Sequence, residues 1–254
     1  MQGYRYKNKM KTIRTEFTSD NLTLKGLLHL PDTSQPPIVV GSHGLEGSLK
    51  SAKQDLLSRM LPENGIAFFR FDHRGCGTSQ GNFVEDTSLD KRTRDFTAAV
   101  EHVIGLSKTS GQLGLFGSSM GGATCINAWQ VLEKIGFSPK GGVFCAAPVV
   151  SRTIHNIPLE ANGNRPALPL SFFKDNLLFN LLDQAKSLHH VMIFHGDADE
   201  IVPVSNAHVL FSTMQAPKEK IIHPDGRHQM TDRGHQKDFE QKALDWYKSI
   251  FNLD

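Results

Sequence analysis

Gly117-Ser118-Ser119-Met120-Gly121 separates two regular segments. Residues 112–116 before it form a short apolar run, and residues 122–133 after it carry helical spacing. A strand that turns sharply into a helix at G-x-S-x-G lifts the central hydroxyl above the sheet. Gly117 and Gly121 lack a Cβ, so strand and helix can pass close together at that turn. The plain alternative is a glycine-rich turn with an incidental serine.

Outward from this turn, strands and helices alternate. Residues 12–17 and 22–30 predict two strands joined by the turn cluster Ser19-Asp20-Asn21. Residues 38–40 predict a buried strand that ends in Gly41-Ser42-His43-Gly44. Residues 51–61 have helical spacing, broken at residues 62–65, and residues 66–71 predict the next buried strand. It runs into Asp72-His73-Arg74-Gly75-Cys76-Gly77, which lacks G-x-G-x-x-G and a P-loop lysine, so a tight structural turn is expected there. Residues 88–106 predict an amphipathic helix with Leu89, Phe96, Ala99, Val100, Val103 and Ile104 on its apolar stripe. Residues 141–147, 191–194 and 219–222 predict further strands, and residues 205–214 and 235–251 further helices. The expected fold class is α/β, with a mostly parallel central sheet covered by helices on both faces. No repeat or linker divides the chain, so residues 1–254 are expected to form one domain, with residues 149–190 as a small cap.

Composition narrows the function. With 39% hydrophobic residues the 254-residue chain can bury a sizeable core. A net charge of +2 favours neither nucleic acid nor an anionic membrane as partner. The basic residues between 5 and 14 predict a solvated arm, with no apolar segment after them to suggest a leader or a membrane span. Three cysteines at irregular spacing form neither a disulfide framework nor a zinc site, and the cytoplasm is the expected compartment. His189 and His190, adjacent on a strand, would point apart, and H-E-x-x-H is missing, so no metal is expected.

An activated serine needs a base to take its proton and an acid to orient that base. Asp199 follows the 191–194 strand, flanked by Asp197 and Glu200 as rival acids. His228 follows the 219–222 strand, with His235 at the start of the last helix as rival base and Asp225 as a turn residue beside it. Loops after parallel strands emerge at one edge of a sheet, where Ser119 also lies.

Together these pieces resemble the α/β-hydrolase superfamily, in its serine esterase and acyl-aminopeptidase-like (prolyl oligopeptidase-related) branch. The matching residues are His43-Gly44, Asp72 with Arg74-Gly75 and Gly77, Gly117 to Gly121, His195-Gly196 with Asp199 and Val202-Pro203, and Gly226 with His228. The resemblance implies a Ser119–His228–Asp199 triad and an oxyanion hole from the backbone N–H groups of Leu45 and Met120. It implies a serine hydrolase that cleaves carboxylic esters of short to medium acyl chain without a cofactor. A thioesterase or small-peptide hydrolase would use the same triad, and a binding protein on a hydrolase fold is the non-enzymatic rival. His43, Phe172, Phe173 and Phe179 are candidate substrate contacts, with His43 better suited to shaping the oxyanion loop and the three phenylalanines belonging to the cap. Within the cap, Leu170, Phe173, Leu177 and Leu181 can share one helical face docked on the core. Asp72 and Arg74 are expected to pin loops. The expected partner is a small ester; the sequence leaves the oligomeric state open.

Overall fold

The computed structural model describes residues 10–157, 159–161 and 167–253. Its centre is an eight-stranded sheet in the order β1-β2-β4-β3-β5-β6-β7-β8. The strands are β1 (Lys11–Ser19), β2 (Leu22–Leu30), β3 (Ile38–Ser42), β4 (Ala67–Phe71), β5 (Leu113–Ser118), β6 (Pro139–Cys145), β7 (Val191–Gly196) and β8 (Lys218–His223). β2 runs antiparallel to both its neighbours; β4 through β8 pair in parallel. Asp20 and Asn21 both take positive φ (46° and 65°), which suits a two-residue turn between twisted strands and closes the first hairpin. Residues 5–9 of the basic segment lie outside the described residues, and Lys11 and Arg14 belong to β1 rather than to an arm.

β3, β4 and β7 are buried along their whole length, as expected of strands covered on both faces. On one face, α3 (Leu89–Gly105) and α4 (Met120–Lys134) bury Phe96, Val100, Val103, Ile126 and Trp129. On the other, α1 (Ala52–Glu63) and α8 (Arg233–Phe251) bury Leu57, Leu61, Phe239, Tyr247 and Phe251. The apolar residues of α8 thus pack on the core. α7 (Ser205–Thr213) covers β7 and β8. Among the described residues no helix is long and apolar enough to cross a membrane.

Three local expectations are corrected. Pro62 does not break α1 but lies inside its last turn, where the lost N–H removes only one hydrogen bond and Asn64 closes the end. A short helix, α2 (Phe83–Asp86), was not expected; the Asn82 side chain caps it by accepting from the Val84 and Glu85 N–H groups. In residues 149–190, helix α5 (Leu170–Asn176) ends before Leu177, and α6 (Leu182–Ala185) is a separate turn. The supposed stripe is therefore broken: Leu170 is exposed, while Phe172, Leu177 and Leu181 are buried.

Candidate active site

The site starts from a backbone that only a tight turn would impose. Ser119 has φ 54° and ψ −124°, a costly conformation for a residue with a side chain, at the junction of β5 and α4. Close packing around it enforces the turn. A Cβ on Gly121 would lie 2.1 Å from the Ser42 carbonyl oxygen, and one on Gly117 would lie 2.6 Å from the Gly121 carbonyl oxygen. The Ser119 N–H donates to the Cys145 carbonyl at 2.8 Å, which ties the turn to β6.

Parallel topology then gathers the partners. Ser119 follows β5, Asp199 follows β7 and His228 follows β8, all at the C-terminal edge of the sheet. His228 Nε2 lies 3.0 Å from Ser119 Oγ, and His228 Nδ1 lies 2.8 Å from Asp199 Oδ2 and 3.0 Å from Oδ1. Asp199 Oδ1 also accepts the N–H groups of Ile201 (2.9 Å) and Val202 (2.8 Å). Burial pushes the Asp199 carboxyl upward, but its hydrogen bonds to His195 and His228 and from the Ile201 N–H hold it below the usual carboxylate range. An ionised Asp199 fixes a proton on His228 Nδ1 and leaves Nε2 free to accept the Ser119 proton.

The rivals separate on burial. Asp199 is buried, whereas Asp197, Glu200 and Asp225 are exposed. Glu200 is not a free loop charge: its Oε2 accepts the His228 backbone N–H at 3.2 Å. His235 stacks on His223 with ring centroids 4.5 Å apart, and the Asp232 cap of α8 holds its backbone N–H. His195, which the sequence marks only through the His195-Gly196 motif, is fully buried; its Nε2 lies 2.8 Å from the Val202 carbonyl and 3.3 Å from Asp199 Oδ2.

The pairing of Ser42 with Gly117 sets the His43-Gly44 loop beside the serine. A Cβ on Gly44 would lie 3.6 Å from Ser119 Cβ, so the Gly44 backbone passes beside the serine and Leu45 follows it directly in the chain. Met120 opens α4, and its N–H points along the helix N-terminus, where negative charge is favoured. Among the described residues, neither the Leu45 nor the Met120 N–H has a protein acceptor.

Two proposed substrate contacts are corrected. His43 is fully buried: its Nε2 accepts the His73 N–H at 3.1 Å and its Nδ1 faces the Gly44 carbonyl at 2.7 Å. Burial, and then the Arg92 charge, push its pKa well below the ordinary histidine value, so it is neutral and structural. Phe172 is buried between Phe83 and Phe173 and presents almost no surface, whereas Phe173 and Phe179 are half-buried against the same core. Asp72 and Arg74 pin loops. Asp72 accepts the N–H groups of Leu49 (2.8 Å) and Thr78 (2.9 Å), and Arg74, itself buried, grips Asp95 at 2.7 Å. His189 and His190 precede β7, and their Nδ1 atoms face each other at 3.0 Å instead of pointing apart. The three cysteines are free thiols, all buried.

Comparisons with known proteins agree with this architecture. The family described as serine aminopeptidase, S33 matches residues 34–168, more than half of the chain. The Escherichia coli (strain K12) protein YfhR is 30% identical over 250 residues, which cover 93% of this chain and 81% of YfhR. The mouse mitochondrial palmitoyl-protein thioesterase ABHD10 is 24% identical over 78% of this chain and 70% of its own length. Among solved structures, Est1E from Butyrivibrio proteoclasticus with ferulic acid bound superposes with a TM-score of 0.81 at 20% identity, covering 94% of this chain and 99% of that one. The α/β hydrolase GrgF from Penicillium sp. sh18 gives 0.80 at 18% identity, covering 96% and 100%. The fold is that of the α/β hydrolases, and the chain belongs to the serine aminopeptidase S33 family of that superfamily.

Proposed function

We propose that this hydrolase cleaves carboxylic esters of short to medium acyl chain through an acyl-enzyme on Ser119. The observation that carries the reading is the continuous hydrogen-bonded path from Ser119 Oγ through the His228 ring to the buried Asp199. His228 Nε2 takes the Ser119 proton as Oγ bonds to the ester carbonyl carbon. The negative charge that forms on the carbonyl oxygen is met by the N–H groups of Leu45 and Met120, each contributing about 3 kcal/mol. As the C–O bond breaks, His228 gives the proton to the leaving alcohol. Water then repeats the sequence and releases the acid.

Residues 149–190 act as a short cap over this single domain, with Phe173 and Phe179 at the acyl side. The test is labelling with a fluorophosphonate probe, followed by turnover of p-nitrophenyl esters, acyl-CoA thioesters and aminoacyl amides. Labelling lost in Ser119→Ala and retained in Ser118→Ala, with esters turned over fastest, is the expected result. A kcat that falls by less than about 10³ in Ser119→Ala would sink the assignment. Faster turnover of thioesters or amides would move the substrate class while keeping the same residues.

A further inference from the structure

Arg92 lies in α3, is 1% exposed, and makes no ion pair among the described residues. An unpaired buried guanidinium is expensive to retain, so its contacts should be worth that cost. Among the described residues its hydrogen bonds to backbone come from Nη2 alone and converge on one short segment, while Nε and Nη1 have no hydrogen-bond partner and the Cys76 thiol lies beside the guanidinium. Arg92 Nη2 donates to the His43 carbonyl and, at 3.3 Å, to the Gly44 carbonyl.

The Gly44 carbonyl is held from three sides. Besides Arg92 it accepts the Gly47 N–H at 3.2 Å and faces His43 Nδ1 at 2.7 Å. Because His43 Nε2 accepts the His73 N–H, the ring proton sits on Nδ1, which therefore donates to Gly44. The Gly44–Leu45 peptide is trans, so its C=O and N–H point in opposite directions. Turning the Gly44 oxygen inward to Arg92 and His43 turns the Leu45 N–H outward, and Ser119 stands close beside this peptide. Further along, Arg70 Nη1 donates to the Leu49 carbonyl at 2.8 Å and Asp72 takes the Leu49 N–H, which anchors the far end of the same loop.

We propose that Arg92 is a positioning residue for the oxyanion donor: its guanidinium clamps the His43 and Gly44 carbonyls and so aims the Leu45 N–H at the substrate oxygen. The kinetic consequence rests on the ester-hydrolase reading above; the geometry of the clamp does not. Loss of the clamp lets the peptide plane rotate. The cost falls on the transition state, where the oxygen carries charge, and not on substrate binding.

The experiment compares the full-length wild type with Arg92→Met and Arg92→Lys. Three quantities are read: kcat and KM on p-nitrophenyl butyrate, Ki for an alkyl trifluoromethyl ketone whose serine adduct carries an oxyanion, and deuterium uptake of the peptide spanning residues 43–49. Arg92→Met is expected to lose about 10- to 100-fold in kcat, somewhat less than deleting a donor outright, with KM within about twofold. Its Ki should rise by the same factor, and residues 43–49 should exchange faster. A folded Arg92→Met with wild-type kcat and unchanged exchange overturns the proposal, as does a kcat loss with no change in Ki. Should Arg92→Met fail to fold, Arg92→Lys is read in its place: its ammonium stops short of the position of Nη2, so wild-type kcat together with unchanged exchange there overturns the proposal as well. A wild type that neither turns over esters nor binds the ketone removes the ester reading; exchange alone then decides, faster uptake in the variant supporting the clamp and unchanged uptake refuting it.

Discussion

The carbonyl of Gly226 occupies the space in which a side chain on Gly196 would begin: a Cβ there would lie 1.9 Å from that oxygen. The same carbonyl accepts the Ala198 N–H at 3.1 Å, and Asp197 N–H donates to the His223 carbonyl at 3.1 Å. The loop that carries Asp199 is thereby locked to the loop that carries His228.

Gly196→Ala forces these two loops apart, because backbone and not a flexible side chain is in the way. We expect kcat to fall about 10-fold or more and Tm to drop by several degrees, since small displacements of a reacting pair are costly. Esterase assays and a thermal melt check this. A variant with wild-type values on both would show that the loops are not rigidly coupled.

The acid and the base each have a control residue nearby. Asp199→Asn is expected to lower kcat by up to about 10⁴ through the wrong imidazole tautomer, while Asp197→Asn remains close to wild type. His228→Ala is expected to match the loss at Ser119, and His235→Ala to leave activity nearly intact. Kinetics on the four variants decide both assignments; a damaging Asp197→Asn or His235→Ala would reassign the corresponding role.

Acid is expected to destabilise the fold through buried neutral histidines. Burial lowers the pKa of His29 to about 4 and of His73 to about 3, and that of His43 well below the ordinary value. Each binds protons more readily in the unfolded chain, whose histidines titrate near ~6.5. The stability they contribute is complete above that pH and is lost as the pH falls toward their folded values. Tm should therefore decline between about pH 6.5 and pH 4, before the usual carboxylates titrate, and a folded His73→Gln should show a shallower decline. Melts across a pH series that stay flat in this window would contradict the account.

Acyl-chain preference follows from the size of the cap. Between β6 and β7 the described residues form the short helices α5 and α6 and a single 3-10 turn at Ser151–Thr153, and Phe172, Leu177 and Leu181 are committed to the core. These three side chains offer no surface to a long chain, and each methylene beyond the pocket forfeits about 0.8 kcal/mol. Higher kcat/KM is expected on acyl chains of roughly C2 to C6 than on chains of about C12 or longer. Rates that climb to the longest chain in a p-nitrophenyl ester series would mean a deep tunnel instead.

The alternation of strands and helices and the sharp turn at Ser119 were legible in the sequence alone, because each is written in residues close together along the chain; the order serine, aspartate, histidine was legible through the short motifs around each residue and the family they resemble. Glycines that permit a tight crossing and apolar periods that match a strand or a helix are local signals. Tertiary structure decided what depends on distant contacts. It buried Asp199 and left Asp197 in solvent, although the two are separated by a single residue. It broke the apolar stripe of residues 170–181 by ending α5 at Asn176. It turned Arg92, which in sequence belongs to an ordinary charged stretch of α3, inward to carbonyls 48 and 49 residues away. Helical periodicity shows which face of α3 is apolar, but it cannot tell which polar side chain on the edge of that face will meet a buried acceptor. That acceptor is supplied by the loop after β3, and only the packing of α3 against β3 brings the two together.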